Sequence, residues 1–349
     1  MSEIIQNNKV KVIIADHGAE IVSLYDMKNS VEHIYNANEK YWKRRSPILF
    51  PVVGSFKNKE FSYKGKTYMM GQHGFARDMD FKKVSNDGKE VWMSLTSSEE
   101  TKEKYPFNFE LRLGYKLTDS NELEVLYNVK NTSDSEDMYF SIGAHPAFMI
   151  PGVKIDAFEE LEKALSSRFR KSDAMNVRMP GMLDILPIGP EREYPDANEC
   201  GMYDYMLLFK DVKDNKLTVG KLMGAGLLSE ETFTLELTPV TIDGVNYGGV
   251  KLSKELFAAD ALVIENNQTQ EVMIAKEENG SWNKAVDVKF DAPLFGIWSP
   301  AGKDAPFVCI EPWYGRCDSV NFEGDLTERE YEQKLAPGAE FNASYTITI

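Results

Sequence analysis

The sequence predicts an all-β protein, a large antiparallel β-sandwich with few short helices. Apolar residues recur at every second position in several segments, turn-forming residues separate these segments, and helical patterns are rare. A period of two is typical of half-buried strands, because successive side chains of a strand point to opposite faces of the sheet. Strands and helices do not alternate along the chain, which weighs against a parallel α/β sheet.

Five segments show the alternation, and β-branched and aromatic residues are enriched in them. The residues expected on the buried face are, in chain order, Val91, Met93 and Leu95; Leu123, Val125, Tyr127 and Val129; Phe233, Leu235 and Leu237; Val286, Val288 and Phe290; and Phe341, Ala343, Tyr345, Ile347 and Ile349. Turn signals at residues 86–88, 119–121 and 337–338 separate strands.

Two segments have helical patterns. Asp156 is a candidate N-cap for a short helix that would bury Phe158, Leu161 and Leu165. A second candidate helix runs from Thr327 to Leu335. Both are short, so they do not change the predicted fold class.

Composition limits the class of protein. The 349 residues are 42% hydrophobic, enough for a large core, and we expect a single domain over residues 1–349. The net charge of −15 has the wrong sign for binding nucleic acid or an anionic membrane, which both rely on Lys and Arg. No apolar run approaches the roughly 20 residues that span a bilayer, and no signal peptide is visible.

The cysteines indicate a reducing compartment. Cys200, Cys309 and Cys317 have no paired spacing, so neither a disulfide framework nor a zinc knuckle is expected. Free thiols suit a cytoplasmic location, which we therefore predict.

His73 lies in the glycine-flanked segment Gly71–Arg77, directly after a strand-like stretch. An imidazole in such a turn can reach into a cleft, or it can merely cap the end of a strand. The second interpretation is the commoner one for an isolated histidine. Gln72 and Arg77 favour the first, because amide and guanidinium donors suit hydroxyl-rich or anionic ligands.

His145 follows the apolar strand Met138–Ile142 and precedes Pro146. Proline fixes the backbone after the histidine and restricts the histidine itself. This rigidity helps a proton donor that must be aimed, but it serves an ordinary turn equally well.

Glu311 comes at the end of the apolar run Phe307–Ile310 and precedes Trp313. A carboxylate in such a position is costly unless it is paired or functional. Desolvation by Trp313 would raise the pKa of Glu311 toward that of a useful base. A salt bridge to Arg316 is the structural alternative.

Two further segments supply candidate binding residues. Arg45 and its neighbour Arg44 precede a rigid apolar stretch, and an arginine there could form paired hydrogen bonds with sugar hydroxyls or a phosphate. A solvated basic loop is the alternative. Asp260, between apolar residues, could bind a hydroxyl or cap a turn. No Walker loop, dinucleotide fingerprint or His-Glu-x-x-His metal motif is present, so no cofactor or metal is expected.

At these residues the sequence resembles the aldose 1-epimerase (galactose mutarotase-like) superfamily, most closely its LacX-like branch. Six segments match in the family's order and span nearly the whole chain: Gly18–Glu20, Trp42–Gly54, Gln72–Arg77, Gly143–Phe148, Phe257–Leu262 and Ala305–Asp318. The resemblance implies an antiparallel β-supersandwich with a sugar cleft on a concave face. It also implies interconversion of the α and β anomers of a hexose.

The resemblance further implies roles for individual residues. His145 matches the family's general acid on the ring oxygen and Glu311 its general base on the C1 hydroxyl. His73 matches a third catalytic residue, which helps to hold or polarise the sugar oxygens. The expected substrate-binding residues are Arg77, Gln72, Arg45, Asp260 and Trp313. Arg77 and Gln72 match the hexose-6-phosphate mutarotase branch.

The chemistry agrees with this set of residues. Ring opening delivers a proton to O5 while one leaves O1, so we expect an acid and a base on opposite sides of one site, with no cofactor. The alternatives are a hexose-6-phosphate mutarotase, a non-catalytic carbohydrate-binding or regulatory protein, and a lyase or glycoside hydrolase. Hydrolysis usually needs two carboxylates across the bond, and the sequence places only Glu311 convincingly.

Overall fold

The computed structural model describes residues 2–155, 189–223 and 226–349. The first range contains fourteen strands: β1 (Ser2–Gln6), β2 (Val10–Ala15), β3 (Ile21–Asp26), β4 (Val31–Ile34), β5 (Ile48–Leu49), β6 (Glu60–Tyr63), β7 (Lys66–Met69), β8 (Lys82–Asn86), β9 (Glu90–Thr96), β10 (Phe109–Leu117), β11 (Leu123–Asn131), β12 (Met138–Phe140), β13 (Ile142–Ala144) and β14 (Ala147–Lys154). The later ranges contain β15 (Met206–Lys210), β16 (Lys216–Met223), β17 (Leu227–Glu236), β18 (Thr238–Ile242), β19 (Val245–Lys251), β20 (Leu262–Ile264), β21 (Glu271–Glu278), β22 (Ser281–Phe290), β23 (Leu294–Trp298), β24 (Phe307–Tyr314), β25 (Gln333–Leu335) and β26 (Glu340–Thr348).

The strands form two large sheets and two small ones. The first sheet has the order β1-β2-β3-β4-β14-β24-β23-β20-β16-β17, with β13 joining β24 to β5. The second has the order β18-β19-β15-β21-β22-β26-β11-β10-β9-β8. Two-stranded sheets pair β12 with β25 and β6 with β7. The ladders between these strands are antiparallel, which confirms the predicted fold class.

One large cluster of buried side chains joins the two sheets, with Ile14 from the first and Leu113 from the second among its members. The predicted alternation is confirmed along β9 and β11, where every second residue is buried. Phe233 is an exception, because it lies in β17 at the edge of its sheet and is 41% exposed. An edge strand is not covered as a central one is, so its apolar residues need not be buried.

The structure contains few helices, as predicted. One α-helix, α1 (Glu99–Lys104), occurs in the described ranges, with short 3₁₀ turns at Lys57–Lys59, Ala76–Asp78, Met202–Asp204, Lys213–Asn215, Glu255–Phe257 and Leu326–Glu328. The predicted helix from Thr327 to Leu335 is wrong. Asp325 caps a single 3₁₀ turn there, and the chain then extends to pair β25 with β12. The predicted helix after Asp156 lies outside the described residues.

The structure bears on two further features of the chain, its cysteines and the length of its helices. All three cysteines are free thiols, as expected. In the three described ranges we find no helix with both the length and the apolarity that crossing a bilayer requires.

The register around β24 determines where the functional residues lie. Val308 and Ile310 belong to the core between the sheets, so the alternating residues Cys309, Glu311 and Trp313 face the opposite side of the first sheet. Both faces of β24 are covered, which explains its uninterrupted apolar run. A carboxylate is therefore held in a buried strand, on the face that turns away from the main core.

Candidate active site

A cavity of about 400 Å³, which we call the catalytic cavity, lies on this face of the first sheet. Seven of the eight side chains predicted from the sequence line it: Gln72, His73, Arg77, His145, Asp260, Glu311 and Trp313. They come from loops and strands separated by up to 241 positions in the chain (313 − 72). The fold thus brings together four sequence segments that no local pattern connects.

The eighth residue, Arg45, does not line the cavity. Its guanidinium donates to the carbonyl of Val22 at 2.9 Å, and its backbone N–H donates to Glu20 Oε1 at 2.8 Å. These bonds hold the side chain against the neighbouring strand. The preceding residue, Arg44, lines the cavity instead and pairs with Asp78 Oδ1 at 2.8 Å. The structure therefore places Arg44, and not the predicted Arg45, in the wall of the cavity.

Sheet pairing places His145 directly beside Glu311. Strand β13 ends on β24 at the pair Gly143–Trp313, and β14 begins on it at the pair Ala147–Cys309. The two residues between β13 and β14 must therefore lie opposite the middle of β24. His145 Nε2 is 3.3 Å from Glu311 Oε1, and both side chains are buried. The expectation of an acid and a base on opposite sides of the site is wrong, because the two groups are adjacent.

Aromatic rings enclose His145. The Trp42 ring stacks on it with centroids 4.6 Å apart, and the Trp298 ring meets it edge-on at 5.3 Å. Sequence reasoning assigned no role to either tryptophan. The chain has only five tryptophans, and three of them, Trp42, Trp298 and Trp313, line this cavity. The rarity of tryptophan is the one signal in the sequence that could have pointed to them.

Two glycines make room for the indole of Trp313. A Cβ at Gly143 would lie 2.7 Å from this ring, and a Cβ at Gly296 would lie 2.5 Å from it. Any side chain at either position would displace the indole. Trp313 is thereby held flat against the sheet, next to Glu311 on the same face of β24.

His73 is held by its backbone and by one ring nitrogen. Its N–H donates to the Gly54 carbonyl at 2.7 Å, and its Nδ1 accepts from the Gly54 N–H at 3.1 Å. Gly74 has φ +71°, and a Cβ there would overlap the Phe50 carbonyl, so only glycine fits. The His73 ring lies 5.7 Å from that of His145, nearly perpendicular to it. Nε2 of His73 is the nitrogen left for a ligand.

Burial disfavours the charged forms of Glu311 and His145. Burial raises the pKa of Glu311 well above 4.5, and the charge of Asp260 adds to this effect. The Trp313 N–H opposes the rise, although it does not reach a partner with hydrogen-bond geometry. Burial, together with Arg77 and Arg44, lowers the pKa of His145 to about 3. Burial therefore favours the neutral forms of both groups, and a proton shared by the pair is drawn toward the carboxyl group of Glu311.

Arg77 and Arg44 form a cationic wall of the cavity. Arg77 donates to the Gln72 carbonyl at 2.7 Å, and its Nε has no hydrogen-bond partner in the part of the chain that the structure describes. Burial and, to a smaller extent, the charge of Arg44 lower the pKa of Arg77 to about 10. Two half-buried guanidinium groups, one with an unused donor, suit an anionic or hydroxyl-rich ligand.

Asp260 lies at the mouth of the cavity. Its Oδ1 accepts from Trp298 Nε1 at 2.9 Å and from the Ala261 N–H at 3.0 Å. Its φ of +84° is unusual for a residue with a side chain. Backbone strain of this kind is often found at functional sites.

The structure contradicts one structural interpretation of Glu311. Arg316 does not pair with it, because the Arg316 guanidinium binds Glu265 at 2.7 Å and also Glu330. Among the described residues, His145, Cys309 and Glu311 form the one group that could hold a metal ion, with ligand atoms within 4.8 Å of one another. The expectation that no metal takes part stays a prediction.

The chain is similar in sequence to proteins of known family. A family model described as aldose 1-epimerase matches residues 2–174. The chain is 25% identical to chromosomal protein LacX of Lactococcus lactis subsp. lactis, over 99% of this chain and 98% of that protein. The plasmid-encoded LacX of the same organism gives the same values.

Solved structures show the same fold. A galactose mutarotase related enzyme from Lactobacillus acidophilus is 32% identical, with TM-score 0.73 over 100% of this chain and 97% of its own. A galactose mutarotase-like protein from Lactobacillus casei is 25% identical, with TM-score 0.74 and 99% of both chains covered. A galactose 1-epimerase from Lactobacillus acidophilus is 14% identical, with TM-score 0.56 over 99% of this chain and 93% of its own, which indicates a shared fold.

Proposed function

Because this chain belongs to the aldose 1-epimerase family, we propose that it is a mutarotase that interconverts the α and β anomers of a hexose. The observation that carries the proposal is the contact of 3.3 Å between His145 Nε2 and Glu311 Oε1 inside a cavity lined by three tryptophans. A pure binding protein has no need of an adjacent, buried acid–base pair.

The adjacency of the two groups suits the reacting atoms. The oxygens O1 and O5 are bonded to the same carbon, so one pair of neighbouring side chains can reach both. Glu311 takes the proton of the O1 hydroxyl while His145 gives a proton to O5, and the C1–O5 bond breaks to leave an aldehyde and a hydroxyl. Before this step the pair's single proton moves from Glu311 to His145 across their contact.

Ring closure reverses the transfers. Rotation about C1–C2 presents the other face of the aldehyde, and O5 attacks C1. The O5 proton returns to His145, and Glu311 protonates O1. The pair finishes with the one proton it had at the start, so the cycle needs no external acid or base. His73, through its free Nε2, holds a sugar oxygen in place during the rotation.

A hexose phosphate is the second candidate substrate, favoured by Arg44 and Arg77 in the cavity wall. Replacing Arg44 with Ala should raise KM about 10-fold for a phosphorylated sugar, because a hydrogen bond to a charged group contributes about 1.5–3 kcal/mol. The free energy of unfolding of Arg44→Ala should differ from that of the wild type by less than about 1 kcal/mol, since Arg44 forms a partly exposed ion pair.

Arg45→Ala is the matched control for Arg44→Ala. It should cost about 1–3 kcal/mol of stability, because the Val22 carbonyl loses its donor, with KM unchanged. Chemical denaturation and kinetics on each variant measure both quantities. The reverse pattern, with Arg45→Ala changing KM and Arg44→Ala changing stability, would contradict this description of the site.

Anomer-exchange NMR on glucose, galactose and glucose 6-phosphate tests the proposed function. We expect the protein to increase the exchange rate of at least one sugar in proportion to its concentration. Tight sugar binding in calorimetry without faster exchange would indicate a binding protein. Cleavage of oligosaccharides, seen by product analysis, would indicate a hydrolase or lyase.

A further inference from the structure

A second cavity of about 570 Å³, which we call the outer cavity, adjoins the catalytic cavity. The two cavities have five lining residues in common: Trp42, Leu222, Gly226, Asp260 and Trp298. Ligand pockets typically have volumes of about 300–1,000 Å³, so each cavity by itself is large enough to hold a small ligand. Because these residues form part of both walls, the outer cavity borders the reaction site directly.

Trp42 and Trp298 stand at the boundary. Both contact the His145 ring on the catalytic side, their own rings lie 5.3 Å apart, and both also line the outer cavity. A ligand whose reacting carbon sits at His145 and Glu311 can therefore extend past these indoles without leaving the protein surface.

The lining of the outer cavity suits an uncharged ring that bears hydroxyl groups. Trp42 and Trp298 supply two half-buried aromatic rings, and Met223 is 51% exposed there. Flat apolar surfaces of this kind pack against the C–H faces of a sugar, and a few polar groups orient it. Lys303 and Asp260 supply those groups with opposite charges, so the cavity has no excess charge to select an anion.

Both polar groups have hydrogen-bonding capacity left. Lys303 Nζ donates to the Tyr41 carbonyl at 2.8 Å, and an ammonium group has two further donors. Asp260 accepts its two bonds through Oδ1. Its Oδ2 has no hydrogen bond within the described residues, and it lies where the two cavities meet.

The proposed reaction restricts what can occupy the outer cavity. A mutarotase needs a free anomeric hydroxyl, so no group can be attached through C1 of the reacting sugar. Any second group must be attached through another hydroxyl of this sugar, as the non-reducing ring of a disaccharide is. We propose that the outer cavity binds this second ring, and that the substrate class is a reducing disaccharide. This inference rests on the proposed mutarotase function.

The test compares kcat/KM for anomer exchange of glucose and galactose with that of reducing disaccharides linked 1→2, 1→3, 1→4 and 1→6. Sophorose, laminaribiose, maltose, lactose and gentiobiose serve as probes. We expect at least one disaccharide to exceed its monosaccharide about 10-fold. Equal or lower values for every disaccharide would overturn the proposal.

A variant that fills only the outer cavity makes the test specific. Ala301 lines the outer cavity and not the catalytic one, and it is exposed. Ala301→Trp should lower kcat/KM for the favoured disaccharide about 10-fold and leave the monosaccharide value unchanged. Ala336→Trp, at an exposed turn elsewhere, is the matched control and should change neither. Equal effects of Ala301→Trp on both sugars, or none on either, would refute the subsite.

Failure of this inference can be told apart from failure of the proposed function. Faster exchange of monosaccharides with no preference for any disaccharide leaves the mutarotase and removes the subsite. If no sugar exchanges faster, calorimetric titration of the same panel decides the subsite alone. Tighter binding of a disaccharide, lost in Ala301→Trp, supports it, and equal binding of all the sugars refutes it.

Discussion

Glu311→Gln and His145→Ala should each lower the catalysed rate of anomer exchange by about 10²–10⁴-fold, the usual contribution of one positioned proton-transfer group. Glutamine keeps the size of the glutamate side chain but cannot accept the O1 proton. Alanine removes the imidazole under Trp42. Polarimetry on freshly dissolved α-glucose or α-galactose, and exchange NMR, measure the loss.

The double variant provides a sharper test. In the proposed reaction His145 and Glu311 exchange a proton across a contact of 3.3 Å, so we expect them to act as a unit. Removing both should cost little more than the worse single change, because groups that act together are strongly non-additive. Independent, multiplicative losses would show that the two groups work in separate steps.

A control variant and the pH profile exclude a general structural effect. His17→Ala should leave the rate unchanged, because the side chain of this exposed histidine bonds only to the exposed Asp80 in the described structure.

The wild-type value of kcat/KM should persist well below pH 6.5, since His145 gains an additional proton only near its lowered pKa of about 3. A loss of activity centred near pH 6.5 would contradict the buried, neutral histidine described above.

Arg329→Met should destabilise the protein by about 3–5 kcal/mol, the usual cost of removing one partner from a buried ion pair. The Arg329 guanidinium binds Asp318 at 2.6 Å and also Glu332, and all three side chains are at most 3% exposed. It also donates to the Arg316 carbonyl at 2.6 Å. Methionine keeps much of the volume but leaves two carboxylates buried without their cation.

Arg112→Met is the matched control for this change. Arg112 pairs with Glu110 at 2.8 Å, but its side chain is 45% exposed, so the expected cost is below about 1 kcal/mol. Urea unfolding followed by fluorescence compares the two variants. Equal stabilities of Arg329→Met and Arg112→Met would disprove the importance of the buried network.

The buried ion pairs also support the catalytic cavity. Asp318 follows Cys317, which lines the cavity, and Glu332 accepts from the Ser141 hydroxyl at 2.8 Å, just before β13. Arg329 therefore ties the segment after β24 to the segment that leads to His145. Nothing in the sequence marks Arg329, because its importance comes from partners brought together by folding.

Much of the fold could be predicted from the sequence. The alternation in β9 and β11 is a local property, since it reflects which side of a strand faces apolar surroundings. The loops with His73 and His145 could be recognised because glycine or proline flanks each histidine. Glu311 could be recognised because burying a carboxylate at the end of an apolar run costs free energy unless it is paired or functional. Helix prediction failed at Thr327–Leu335, where pairing of β25 with β12 overrides the local pattern.

By itself the sequence determined the class of fold, the strands and turns, and the loops that carry polar residues, because each depends on residues close together in the chain. Only the tertiary structure decided that Arg44 and not Arg45 lines the cavity, that Trp298 joins the site, and that His145 touches Glu311. The contact between His145 and Glu311 follows from the register of β13 and β14 on β24. The choice between Arg44 and Arg45 follows from their bonds to Asp78 and Val22. Both depend on residues distant in the chain, and no local pattern contains that information.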